Sequence, residues 1–179
     1  MLAMDKRWYR KVFRRAPTPD TTGTRARAEA GDANAQFALW LDYEEAEGRS
    51  QDFVQAALWY RKAADQNHAL AQCHLALMYA KGQGVPRDEA EAARWLRKAA
   101  DQGDPGAQFH LGIRCHRSSV GWPRVNASES RIEAYAWLCL AAAQGYKDSI
   151  AACDLVALGM TGAEVAQGNH RAAILAKGT

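Results

Sequence analysis

Four cysteines (73, 115, 139 and 153) and five histidines are the side chains of this 179-residue chain best suited to metal or nucleophile chemistry. No two of the cysteines stand two to four residues apart, so the spacing of a zinc site is absent. They are expected to be buried, reduced thiols, because a free cysteine behaves as a small hydrophobe. His74 and His110 lie 36 residues apart in equivalent surroundings, but no third ligand accompanies them, and no metal is expected. The chain has no G-x-S-x-G elbow, no glycine-rich phosphate loop and no H-E-x-x-H pair. Its carboxylates fall mainly at predicted helix starts and on solvated faces. These features predict neither an enzyme nor a cofactor. Asn126-Ala127-Ser128 matches the glycosylation triplet by chance, since no signal peptide precedes it.

The elements that would position any of these groups repeat along the chain. "AALWYRKAADQN" (56–67), "AARWLRKAADQG" (92–103) and "AYAWLCLAAAQG" (134–145) share one skeleton. Trp59, Trp95 and Trp137 hold one slot, Ala64, Ala100 and Ala142 another, and Gln66, Gln102 and Gln144 a third. A second helix precedes each copy: "ANAQFALWLDY" (33–43), "ALAQCHLALMY" (69–79) and "PGAQFHLGIRC" (105–115). There Ala35, Ala71 and Ala107 align, followed by Gln36, Gln72 and Gln108, then Leu39, Leu75 and Leu111. Each unit is thus a helix A and a helix B, spaced first by 36 and then by 42 residues. Such a period predicts stacked units, because one helix pair cannot bury its apolar stripe alone.

The turns carry their own signals. "KGQGVPRDEAE" (81–91) has two glycines, which permit positive φ where helix A ends. Asp88 with Glu91, Asp52 with Gln55, and Ser130 with Glu133 have capping-box spacing and predict three helix-B starts. The six extra residues of the third unit fall between Cys115 and Ser130 and predict a long turn over 117–129. After 145, a half-unit (145–159) and a closing helix (160–174) are expected, the latter opened by a Thr161–Glu164 capping box.

The whole pattern resembles the Sel-1-like repeat. Residues 69–103 match that family's unit through Ala71, Gln72, Leu75, Met78, Tyr79, Gly82, Gly84, Val85, Asp88, Ala92, Trp95, Lys98, Ala99, Ala100, Gln102 and Gly103. The first unit departs at Trp40 and in its turn. The third departs at Cys115 and in its long turn. The resemblance implies an all-α fold, a right-handed superhelical α/α solenoid of stacked antiparallel helix pairs. Its parts would be a basic arm and linker at 1–28, repeats at 29–66, 67–103 and 104–145, and a half-repeat with C-terminal cap at 146–179. It also implies a scaffold that holds other proteins. The cysteine pairs that link helices A and B within each repeat of some secreted relatives are not matched here.

On each A helix the variable positions follow i, i+1, i+4, i+7, i+8 spacing and so share one face. They include Phe37 and Leu41, then His74, Leu77 and Lys81, then Phe109, His110, Ile113, His116 and Arg117. Lining a concave surface, they would suit a protein or peptide with some negative charge. Alternatively, the phenylalanines are core and the histidines merely solvated. Residues 1–27 carry a net charge of +6 and the remainder −3, against +3 overall, which argues against a nucleic-acid groove in the body. The arm "DKRWYRKVFRRAP" (5–17) sets Trp8 and Phe13 among Arg7, Arg10, Lys11 and Arg14. It reads first as a cap on the first unit; the alternatives are a membrane-surface helix, a segment for nucleic acid or an acidic protein, and a disordered segment. "APTPDTTGT" after it reads as a linker. With no signal peptide and no transmembrane run, a cytoplasmic location is expected.

Overall fold

The structure, a computed structural model, describes residues 21–45, 53–120 and 126–177, with no description of side chains at 21–22 and 40–45. Among these residues the chain is all-helical. The helices are α1 (Thr21–Glu29), α2 (Ala33–Glu45), α3 (Phe53–Asp65), α4 (Ala69–Lys81), α5 (Glu89–Asp101), α6 (Pro105–Val120), α7 (Ala127–Ala143), α8 (Ser149–Ala157) and α9 (Gly162–Lys177). They fall into two compact units that divide between Ala99 and Ala100.

In the first unit α1 packs on α2, α2 on α3 and α3 on α4. Alanines make this possible: Ala56, Ala63, Ala71 and Ala76 have no exposed surface, so helix axes can approach closely. Larger side chains fill what remains, with Tyr60, Leu75 and Trp95 at 1%, 0% and 2% exposure. Trp59 packs against a smaller cluster of Ala28, Ala35 and Leu39. The helix over Thr21–Glu29 replaces part of the expected linker. Its Ala28 is buried against the first A helix, which gives the segment an apolar reason to order.

The second unit packs α6 on α7, then both α8 and α9 on α7. Its core joins Phe109, Ala134, Leu138, Ala141, Cys153 and Val156. Gly112 makes the α6–α7 contact close, since a Cβ there would lie 2.7 Å from Leu138 Cγ. α8 fills the place of a further A helix. Ser149, fully buried, takes the slot of Ala35, Ala71 and Ala107.

The junctions from B to A follow one pattern. The backbone turns left-handed at Gly31, Asn67 and Gly103, and the next residue caps the A helix. Asp32 accepts from the Asn34 and Ala35 N–H groups at 2.9 and 3.1 Å. Asp104 accepts from Ala107 N–H at 2.7 Å, and His68 Nδ1 from Ala71 N–H at 3.2 Å. These caps satisfy amides that the first helical turn leaves without partners.

The predicted B-helix caps fare unevenly. Asp88 accepts from the Ala90 and Glu91 N–H groups at 2.9 and 3.0 Å, as the sequence suggests. Glu91 does not return the bond. It accepts from Trp95 Nε1 at 3.1 Å and pairs with Arg94 at 2.7 Å. Glu133 likewise accepts from Trp137 Nε1, at 3.4 Å. A buried indole needs an acceptor, and the carboxylate one turn back supplies it. Ser130 is not a cap: α7 starts a turn earlier, at Ala127, so the long turn is shorter than predicted. Asp52 lies outside the described residues. The Thr161–Glu164 box forms in both directions, at 2.8 Å from Thr161 N–H and 3.3 Å from Glu164 N–H.

Candidate binding faces of the A helices

The aligned glutamines hold the A helices in place. Gln36 Nε2 donates to Ala28 O at 3.0 Å, Gln72 to Ala64 O at 3.1 Å and Gln108 to Ala100 O at 3.4 Å. Each bond reaches back eight residues to a carbonyl at the end of the preceding helix, which also accepts from the N–H of Gly31, Asn67 or Gly103. Gln66 then donates to Gln36 Oε1 at 2.9 Å, and Gln144 to Gln108 Oε1 at 2.9 Å. These buried amides therefore work in packing and are not free for a ligand. At the surface, Lys62 and Lys98 place their ammonium groups over the Trp59 and Trp95 rings, 4.1 and 4.6 Å from the centroids.

On α4, His74 and Leu77 are half-buried and Lys81 is exposed, while Leu75, Ala76 and Met78 are sealed. The floor beneath His74 is aromatic. Its ring lies 5.5 Å from Phe37 and 5.2 Å from Tyr60, and Phe37 stacks on His68 at 4.9 Å. Phe37 itself is 4% exposed, so it belongs to the core and not to a contact surface. Leu41 lies in α2, but its side chain is not among those described.

α6 repeats the arrangement within its own unit. His110, Ile113 and His116 are half-buried and Arg117 is exposed. Phe109, 7% exposed, packs 5.2 Å from Tyr146 and is again floor. Ile113 also packs onto the core cluster. Both phenylalanines are thus corrections to the predicted faces. A large ring one residue before the exposed slot points inward, where it fills the gap between neighbouring helices. Tyr60, His68 and Tyr146 complete these floors and were missing from the sequence reading. The Asp32–His68–Asp104 register was the visible signal for His68.

His68 is the departure with chemistry in it. Its Nδ1 must be unprotonated to accept from Ala71, which leaves Nε2–H to meet Asn34 Oδ1 at 3.2 Å. Burial holds its pKa below the ordinary histidine value. Glu164, at the start of α9, is the most strongly perturbed carboxylate. Hydrogen bonds from Ser128 and Thr161 and a 2.8 Å ion pair with Arg131 pull it down to about 2. It ties α9 to α7 and has no site around it. Among the described residues no group of three or more His, Cys, Asp or Glu side chains could hold a metal ion. The arm residues Arg7, Trp8, Arg10, Lys11, Phe13 and Arg14 all lie outside the described residues.

Comparison with known proteins agrees with this architecture. A family profile described as "Sel1 repeat" matches at residues 33–68, 69–104 and 105–146. One similar solved structure is a protective antigen of uropathogenic Escherichia coli strains displaying an SLR fold. It is 27% identical with a TM-score of 0.76, over 96% of this chain and 36% of that one. The chain therefore spans about a third of that protein's length. Another is a Sel1 repeat protein from Oxalobacter formigenes, 33% identical with a TM-score of 0.61, over 75% of this chain and 97% of that one. No curated protein matches the sequence.

Proposed function

The chain belongs to the Sel1 repeat family, and from that premise we propose that it is a non-catalytic scaffold that binds an acidic protein or peptide on its A helices. Proteins of this family are generally protein-interaction scaffolds. One observation carries the finer reading. In α4 and α6, three aligned slots keep partial or full solvent exposure, while Leu75, Ala76 and Met78 on α4 and Leu111 and Gly112 on α6 are sealed. They are His74 and His110, Leu77 and Ile113, and Lys81 and Arg117. An apolar or aromatic contact beside an exposed cation suits a segment that presents a hydrophobic side chain next to a carboxylate.

The test pairs His74→Asp/Lys81→Glu on α4 with His110→Asp/Arg117→Glu on α6. Ile113 and the two phenylalanines are left alone because they support the core. Partners captured by the intact chain from native lysate should be lost with both variants while helical circular dichroism shows each still folded at the capture temperature. Equal capture by all three proteins would sink the assignment of these faces.

A further inference from the structure

Cys139 on α7 and Cys153 on α8 bring their Sγ atoms to 2.8 Å, and both are free thiols. We propose that this pair is an oxidisable dithiol site whose substrate is a small hydroperoxide and whose product is a disulfide tying α8 to α7.

The geometry is the first argument. A disulfide needs the sulfurs only about 0.8 Å closer, a shift within side-chain adjustment. The pair stands apart from the repeat pattern. Cys139 takes the slot that holds Arg61 and Arg97 in the earlier B helices, and Cys153 the slot of Leu75 and Leu111. The pairing also differs from one between helices A and B of a single unit, because it joins α7 of the third unit to α8 of the half-unit.

The surroundings divide the roles. Cys139 is half-buried and reachable, whereas Cys153 is 8% exposed. Hydrogen bonds from the Cys153 thiol and the Tyr135 hydroxyl pull the Cys139 thiol down to about 7. Its hydrogen bond to Cys139, burial and the negative charges of Cys139 and Asp154 push Cys153 up. Tyr135, pushed up to about 12, keeps its proton and stays a donor. Its ring is held by α9, where a Cβ at Gly168 would lie 2.6 Å from Tyr135 Cδ1 and Asn169 bonds the hydroxyl.

The reaction has two steps. The Cys139 thiolate attacks one peroxide oxygen, the O–O bond breaks, and the leaving hydroxide takes a proton and departs as water. Cys139 is then a sulfenic acid. Cys153 gives up its proton and attacks the Cys139 sulfur, the S–S bond forms, and the displaced hydroxide leaves with that proton as a second water. Two thiols are oxidised and one hydrogen peroxide is reduced.

Treating the full chain with equimolar hydrogen peroxide tests this. The expected result is an intact mass lower by two hydrogens, a peptide linking Cys139 to Cys153, reversal by dithiothreitol and a higher melting temperature for the oxidised form. A Cys73→Ser/Cys115→Ser double variant should behave the same. Cys153→Ser should stop at a dimedone-trappable sulfenic acid on Cys139. Thiols left intact under peroxide that consumes free glutathione in the same tube would overturn the proposal. A link through Cys73 or Cys115, or sulfinic acid on Cys139 in the wild-type chain, would overturn it equally.

Discussion

The second repeat joins two 13-residue helices, α4 and α5, across 82–88, whereas the third joins helices of 16 and 17 residues, α6 and α7, across 121–126. In the first hairpin the turn itself carries the specification. Gly82 closes α4 at φ 69° with its N–H on Met78 O, and Asp88 opens α5 with two side-chain bonds. In the second, α7 opens at Asn126, which sits left-handed at φ 57° and makes no side-chain cap. What holds that hairpin is the interface, where Gly112 lets α6 settle on Leu138 and Ala134. Local chemistry can therefore be relaxed in a repeat where tertiary packing is strong.

The largest expected effect is on the turn of the second repeat. Gly84 has φ +69°, and a Cβ there would lie 1.9 Å from Phe53 O, a backbone atom that cannot rotate away. Gly84→Ala should cost about 3 kcal/mol or more, read as a lowered urea midpoint or failure to fold. The matching break in the third repeat is Gly112→Ala, expected to cost about 1–3 kcal/mol by overpacking against Leu138. Since Leu138 Cγ is the nearest atom, adding Leu138→Ala should show strong non-additivity in a double-mutant cycle. Additive losses would mean that the two helices do not meet there.

The caps sharpen the contrast at smaller scale. Asp88→Ala should cost about 1 kcal/mol. Asn126→Gly should be neutral or slightly stabilising, because it removes no cap and relieves a left-handed residue. Smallest is a pH effect. The folded-state pKa of His68 lies below its unfolded value, so its contribution is complete above the unfolded pKa. Stability should therefore fall as pH drops below about 6.5, where the unfolded chain binds the extra proton. In His68→Asp, which installs the cap found at Asp32 and Asp104, melting temperature should lose that slope. Glu164 acts in a separate window, losing its contribution from the ordinary carboxylate range down to about 2.

Much of the fold was legible because the repeat writes each rule more than once. Most positions of the Trp, Ala and Gln registers are buried or bonded, as at Trp95, Trp137, Ala64, Ala100, Gln66 and Gln144. The reading slipped where one residue type serves two ends. Glu91 and Glu133 have capping-box spacing, yet their carboxylates serve Trp95 and Trp137, since a buried indole is the more demanding partner. The candidate faces were half legible. The slots of His74, Leu77 and Lys81 and their counterparts on α6 do meet solvent, but spacing alone could not tell that Phe37 and Phe109 turn inward.

Sequence alone determined the helical class, the unit length and the positions of most helix ends, because these follow from periodicity and from turn residues that act within a few positions. The pairing of Cys139 with Cys153, the bonds that Ser128 and Arg131 bring to Glu164 and the closeness of α6 to α7 were decided by tertiary structure alone. Each depends on side chains from helices brought together by burial, with separations of 14 to 36 residues that no local rule connects.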